Sequence, residues 1–251
     1  MNTTYNETIK KVSELLKESK KTVVLSGAGL STECGLQDFR STNGLYRDSN
    51  IQELATTRGL WNNTHKFTQY YRERIGQVLA NEPDESYMCI NDWAEQGLVH
   101  HIITQNVDGY HGQVNTADIP IHMLHGDLAN CFCAECKKTV ASSYYMHNIR
   151  CPHCGSGLMR PNVILFNEQL SQRTLALSLS AVQTAELTIV MGSSLQVTPA
   201  AILPAYTKKN GGKLVIINNE ETPLDHIADV IINSPLGETI SAINKELGTS
   251  A

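Results

Sequence analysis

Four of the chain's seven cysteines fall into two Cys-x-x-Cys pairs, Cys133 with Cys136 and Cys151 with Cys154. No other feature constrains the fold as strongly, because four thiolates on one tetrahedral ion force two turns together. Fourteen residues separate the pairs, one short of the usual range for a tetrathiolate zinc ribbon. Both pairs sit in turn-forming contexts, CAEC and CPHC. Four thiolates close the coordination shell, so the expected Zn²⁺ is structural and offers no position to substrate or water. A redox dithiol is the competing reading, but two pairs flanking a short basic and polar segment fit a metal better. Cys131 and His153 lie near enough to be alternative ligands and rank below the four. An odd cysteine count argues against a disulfide scaffold and for a reducing compartment. Cys34 and Cys89 read as core or loop thiols.

Around this array, short apolar runs alternate with helical patterns. Ile9, Val12, Leu15 and Leu16 recur at helical spacing, so the first twenty residues read as an amphipathic helix. Thr22–Ser26 (TVVLS) reads as a buried strand running into a turn at Gly27, and similar runs occupy 99–104, Leu187–Met191, 214–217 and Val230–Ile232. Strands alternating with helices predict an α/β fold with a mostly parallel sheet and helices on both faces. Two stretches break the alternation: 42–82, helical and polar, and 128–160, cysteine-rich. They read as insertions that build a smaller second module.

At 251 residues, 41% hydrophobic and 18% charged, the chain has the composition of a soluble globular enzyme. Its net charge of −5 argues against direct nucleic-acid binding and leaves room for basic, lysine-rich partners. No apolar run approaches the roughly 20 residues of a membrane helix. The opening MNTTYNETIKK lacks the apolar centre of a signal peptide, so no membrane association and a cytoplasmic location are expected.

Parallel sheets bind ligands beyond the carboxyl ends of their strands, and here those ends carry ligand-type residues. GAGLSTECGLQDFR, residues 27–40, places Gly27 and Gly29 where backbone could approach a pyrophosphate. The dinucleotide fingerprint is incomplete, since Thr32 stands where a third glycine is usual. TQNVDGYH, 104–111, brings Gln105, Asn106 and Asp108 to a strand end, suited to ribose hydroxyls and an amide-bearing ring. The same residues would also serve an Asx-type turn. His125, in MLHGD, is a candidate base or an ordinary structural histidine. RPNVILFNE, 160–168, predicts a short strand, GSSLQVTPA follows Met191, and INNEE offers Asn218 to a ribose.

Taken in order, these segments resemble the sirtuin family over nearly the whole chain, in the form of a zinc-containing, prokaryotic-type single catalytic core. The family pattern runs GAG-x-S to D-F-R-S, T-Q-N-x-D-x-x-H, H-G, two Cys-x-x-Cys pairs, R-P-x-V-x-x-F-x-E, G-[ST]-S-L-x-V-x-P-A and I-N. The resemblance implies a Rossmann-type NAD-binding domain from 1–41, 83–127 and 161–251, and a small domain from 42–82 and 128–160. It implies NAD-dependent removal of acetyl or other apolar acyl groups from protein lysine, giving nicotinamide, O-acyl-ADP-ribose and free lysine. Carried over by position, Gly27, Ala28, Gly29, Thr32, Asp38, Phe39 and Arg40 line the cofactor loop, with Gln105, Asn106, Val107 and Asp108 around nicotinamide and its ribose. Gly192, Ser193, Ser194, Asn218 and Leu236 hold the adenosine side. Val163 and Phe166 border the acyl-lysine tunnel, with the substrate backbone laid between 166–168, ending at Glu168, and 195–197, from Leu195 to Val197. His125 is the implied catalytic base, assisted by Asn106 and Asp108.

Three departures from the pattern stand out. Gln37 replaces a proline, Asn167 replaces a glycine, and the usual Ala-Gly after His111 is absent. Family members that remove acidic acyl groups place Tyr and Arg three apart just after an aromatic residue. Aligning on Phe67 puts Thr68 and Tyr71 there, while Tyr71 and Arg74 have that spacing in a shifted register. An ADP-ribosyltransferase or an NAD glycohydrolase on the same scaffold is the alternative activity.

Overall fold

A computed structural model describes residues 3–40 and 44–248. Among the described residues, nine strands follow in chain order: β1 Thr22–Ser26, β2 His101–Thr104, β3 Ile121–Met123, β4 Gly126–Cys133, β5 Thr139–Ala141, β6 Met159–Val163, β7 Leu187–Met191, β8 Lys213–Ile217 and β9 Val230–Ile232. Six form one parallel sheet in the order β3-β2-β1-β7-β8-β9. The other three form an antiparallel sheet in the order β5-β4-β6. The expected α/β class therefore holds.

The apolar runs are continuous because both faces of the large sheet are covered. β1 and β7 are buried at every residue. Successive side chains nonetheless alternate between two cores, as a pleated strand requires. Val24, Ile189, Met191, Val215 and Ile217 face one core with Val12, Leu16, Trp93, Ile240 and Ile243. Those partners come from helices Thr3–Glu18, Glu85–Glu95 and Leu236–Leu247. Val23, Leu25, Val190, Leu214 and Ile216 face the other core with Ala181, Val182 and Leu203, from helices Gln172–Gln183 and Leu203–Lys209.

Strand order reverses between β1 and β7, since from β1 the sheet is built outward through β2 in one direction and from β7 through β8 in the other. Such a switch point opens a crevice beyond the carboxyl ends of the two strands. Gly27 and Gly192 sit there.

The strand expected at 99–104 begins at His101, because Leu98 and Val99 both donate backbone N–H groups to Trp93 O in the turn leaving the preceding helix. The three-residue edge strand β3, with a histidine at its centre, carries too little apolar pattern to be read in advance. Within 42–82, helices form at Ser49–Leu54, Thr57–Asn62 and Thr64–Ala80. Residues 42 and 43, and Ser41 of the D-F-R-S segment, lie outside the described residues. The side chain of Asp48 accepts from Asn50 N and that of Thr56 from Gly59 N, which starts the first two of these helices. The altered stretch after His111 is closed locally: Asn115 donates to Ile119 O at 3.0 Å and accepts from Ile119 N at 3.2 Å.

His111 is wholly buried against Ser26 Oγ at 2.9 Å, and burial lowers its pKa from 6.5 to about 3. The folded protein thus refuses a proton that the unfolded chain accepts below pH 6.5. Stability should fall as pH drops from 6.5 toward 3, by up to about 1.4 kcal/mol per pH unit from this residue. Unfolding free energies of the parent and His111→Gln between pH 7 and 5 should show a flatter slope in the variant; equal slopes would contradict the assignment.

Candidate active site

The glycine loop is shaped by contact with the β7 turn. Gly27 N–H donates to Met191 O at 2.9 Å and Gly29 N–H to Gly192 O at 2.8 Å. A Cβ on Gly27 would lie 2.7 Å from Gly192 O, and one on Gly29 would lie 2.8 Å from Gly192 Cα. Gly192 itself has φ +62° and packs on Gly29 and Leu30. The close packing at the switch point is thus made by Gly192, in the turn after β7, against Gly27 and Gly29. Thr32 instead donates its hydroxyl to Gly29 O at 2.9 Å, closing the short turn Ala28–Ser31.

A cavity of about 740 Å³ opens over this floor, within the size range of small-molecule and cofactor sites. Of the residues singled out for cofactor and substrate, Gly27, Ala28, Gly29, Thr32, Asp38, Phe39, Arg40, Gln105, Asn106, Val107, His125, Val163, Phe166, Glu168, Gly192, Ser193, Ser194, Val197, Asn218 and Leu236 line it. Two do not. Asp108 lies beneath the floor, 7% exposed, and the side chain of Leu195 packs into the second core.

Gln105 and Ser193, on different strand ends, are joined by Gln105 Nε2 donating to Ser193 Oγ at 2.7 Å. His125 follows β3 and precedes β4, and its Nδ1 lies 3.0 Å from Gln105 O. A carbonyl only accepts, so Nδ1 carries the proton and Nε2 is left as a bare acceptor. Burial lowers the His125 pKa, the Gln105 bond opposes this, and Arg40 lowers it further. The neutral imidazole is thus the resting form at pH 7. Asp108 receives Ser31 Oγ at 2.9 Å and Tyr110 N at 2.9 Å, while burial raises its pKa against those bonds.

The loop after β6 is pinned from within. Arg160, 4% exposed, donates to both carboxylate oxygens of Glu168 at 2.6 and 2.8 Å, and to Val163 O. Glu168 also accepts from Leu165 N. Its carboxylate is therefore committed inside the chain, and the residue shapes the loop that Val163 and Phe166 border. Phe166 N–H donates to Ala55 O at 2.8 Å, so part of the expected peptide-binding edge already pairs with the helical insertion. Asn167 has φ +73°, a left-handed conformation glycine adopts freely and asparagine tolerates better than most residues, which accounts for the replacement. Glu168→Gln should leave the Arg160 cation buried without its charge partner and cost on the order of 3 kcal/mol. Denaturant unfolding would measure it; a midpoint within error of the parent would contradict this account.

Tyr71 and Arg74, the pair in the shifted register, both line the cavity. Arg74 stacks on the Phe39 ring at 5.4 Å and bonds Gln77 at 3.0 Å, so it braces the cofactor loop from below. Phe67 and Thr68 are buried in the helix. Sequence patterns did not single out Tyr70, which also lines the cavity, because helix periodicity alone does not show which turn faces a cavity.

The sulfurs of Cys133, Cys136, Cys151 and Cys154 all lie within 4.8 Å of one another. Pairs stand 3.8 Å (Cys133 and Cys154) and 3.6 Å (Cys136 and Cys151) apart, close to the ~3.8 Å edge of a tetrahedron with 2.3 Å Zn–S bonds. Backbone N–H groups of Cys136, His153 and Gly157 point at the sulfurs, as thiolate ligands require. Cys131 faces Ser142 instead, and Cys34 and Cys89 are buried.

A parallel sheet with a glycine floor at its switch point, a neutral imidazole over it and a tetrathiolate cluster beside it define a nucleotide-using enzyme with a structural metal. The sequence pattern of the Sir2 family matches residues 27–199. An "NAD-dependent protein deacetylase" of Oceanobacillus iheyensis is 41% identical over 237 residues, covering 94% of this chain and 99% of the relative. An "NAD-dependent protein deacylase 2" of Archaeoglobus fulgidus is 36% identical, covering 95% and 96%. Among solved structures, Sir2 with a p53 peptide and NAD⁺ superposes with a TM-score of 0.86 at 33% identity, covering 96% of this chain and 99% of the other. Sir2Tm bound to a propionylated peptide gives 0.86 at 34% identity, with 96% and 99% covered.

The chain belongs to the Sir2 family, the sirtuins. It is an NAD-dependent protein deacylase.

Proposed function

We propose that the chain takes an acyl-lysine of a protein or peptide together with NAD⁺ into this cavity, with His125 as catalytic base and Asn106 and Asp108 as its partners. The observation that carries this assignment is the His125 imidazole, held neutral with Nε2 unprotonated above a floor of Gly27, Gly29 and Gly192. Bound NAD⁺ supplies the ribose carbon that accepts the acyl oxygen as nicotinamide departs. His125 Nε2 takes a ribose hydroxyl proton so that the oxygen can attack the acyl carbon, a task matched to a neutral imidazole near pH 7. Asn106 and Asp108 orient ring and ribose, and Ser193, Ser194, Asn218 and Leu236 hold the adenosine. Val163 and Phe166 flank an apolar acyl group, with Glu168, Leu195 and Val197 setting the peptide edge.

On this reading the cofactor domain comprises 1–41, 83–127 and 161–251, which contain every strand of the large sheet, and the small domain comprises 42–82 and 128–160. Free thiols arranged for a metal suit a reducing cytoplasm, and among the described residues no helix is long and apolar enough to cross a membrane. The net negative charge suits a lysine-bearing substrate rather than nucleic acid.

The decisive experiment follows nicotinamide release with and without an acetyl-lysine peptide while weighing the peptide. Release that depends on peptide and removes its acetyl group is expected. Release without peptide would indicate a glycohydrolase, and a peptide gaining ADP-ribose would indicate a transferase.

A further inference from the structure

Asn106 belongs to a closed set of hydrogen bonds. Its Nδ2 donates to Ser31 Oγ at 3.1 Å and to Tyr87 Oη at 3.2 Å. Ser31 donates its single proton to Asp108 Oδ2 at 2.9 Å and lies 2.8 Å from Tyr87 Oη. Because the Ser31 proton is committed to the carboxylate, the Tyr87 hydroxyl must be the donor in that last contact. One assignment of protons then satisfies every member. It turns Asn106 Oδ1 out of the network, and Asn106 lines the cavity.

Tyr87 is fully buried on helix Glu85–Glu95, with its ring edge-on to Tyr110 at 5.7 Å and His111 at 4.7 Å. Its hydroxyl position is thereby fixed by packing as well as by bonding. Burial and the nearby Asp108 push its pKa well above the ordinary phenol value, which keeps it a donor.

We propose that Tyr87 is a positioning residue for the deacylation: its hydroxyl fixes the carboxamide of Asn106 with Oδ1 toward the reacting groups and, through Ser31, steadies Asp108. Without that hydroxyl, Asn106 Nδ2 loses one of its two acceptors and Ser31 one of its two donors. The orientation of the amide then rests on the one remaining bond to Ser31. An acceptor held at this point receives an N–H or O–H of the bound cofactor, whereas a flipped amide presents donors to those donors. The inference rests on the proposed role of Asn106.

The test compares kcat and KM of Tyr87→Phe, Ser31→Ala and the double variant, with melting temperatures, peptide affinity and Asn106→Ala alongside. Tyr87→Phe keeps the ring and should lower kcat roughly ten- to hundredfold, as expected for one buried hydrogen bond, with affinity for the acetyl-lysine peptide unchanged. Ser31→Ala cuts the same network without disturbing the aromatic packing and should give a comparable loss, so the test survives a Tyr87 variant that folds poorly. The double variant should be little worse than the more damaged single. Values of kcat within twofold of the parent, a lowered Tm with kcat retained, or losses that multiply independently would each overturn the assignment. If Asn106→Ala remains fully active, the role given to Asn106 fails; an inactive Asn106→Ala beside a fully active Tyr87→Phe removes only Tyr87.

Discussion

His125→Ala is expected to lower the rate of peptide deacetylation by about 10²–10⁴-fold, the usual contribution of a positioned general base. Among the described residues the side chain makes one hydrogen bond, to Gln105 O, so the fold should survive with a small change in Tm. Peptide mass over time and a melting curve check both halves. Because burial lowers the His125 pKa below 6.5, the base remains unprotonated somewhat below the pH at which free imidazole takes up its proton. The acid limb of the parent's pH profile should accordingly lie below 6.5. Deacetylation preserved in the alanine variant would remove His125 from the mechanism.

Replacing Cys133 or Cys151 with serine should release zinc and strongly destabilise the chain. Both sulfurs are buried, and binding of a structural zinc by four thiolates contributes on the order of 10 kcal/mol to the fold it joins. Metal analysis and melting curves on the same samples test this. A chain that loses its zinc yet melts where the parent does would refute a structural metal. Gly157→Ala should act in the same direction without removing a ligand, because its Cβ would lie 2.2 Å from Cys133 Sγ. The damage should reach activity too, since β4 begins beside His125 and ends at Cys133.

Much of this was readable in advance because it is local. Thr22–Ser26, Leu187–Met191 and Val230–Ile232 appear with the expected bounds, since continuous apolar runs bounded by turns have few other uses. The cysteine cluster was legible because metal geometry dictates spacing. Contacts made across long stretches of sequence were not. Thr32 read as a defect in a glycine fingerprint, although its hydroxyl closes the turn onto Gly29 O and the tight packing there is made by Gly192, far along the chain. The bond of the Glu168 carboxylate to Arg160 was not legible either, though it spans only 8 residues. Tyr87 carries no motif, and only the folding of its helix against the glycine loop and the 104–108 segment brings its hydroxyl to Asn106.

The meeting of Gly27 and Gly29 with Gly192 also bears on how this cavity can diverge. Each of the three lacks room for an added carbon because of the opposite loop, so a side chain at any one of them would force that loop to move. Variation must therefore enter from the walls, through residues such as Thr32, Asn167 and Tyr71. A lineage built on this scaffold can change which acyl chains and peptides it accepts while inheriting its nucleotide seat as one indivisible part.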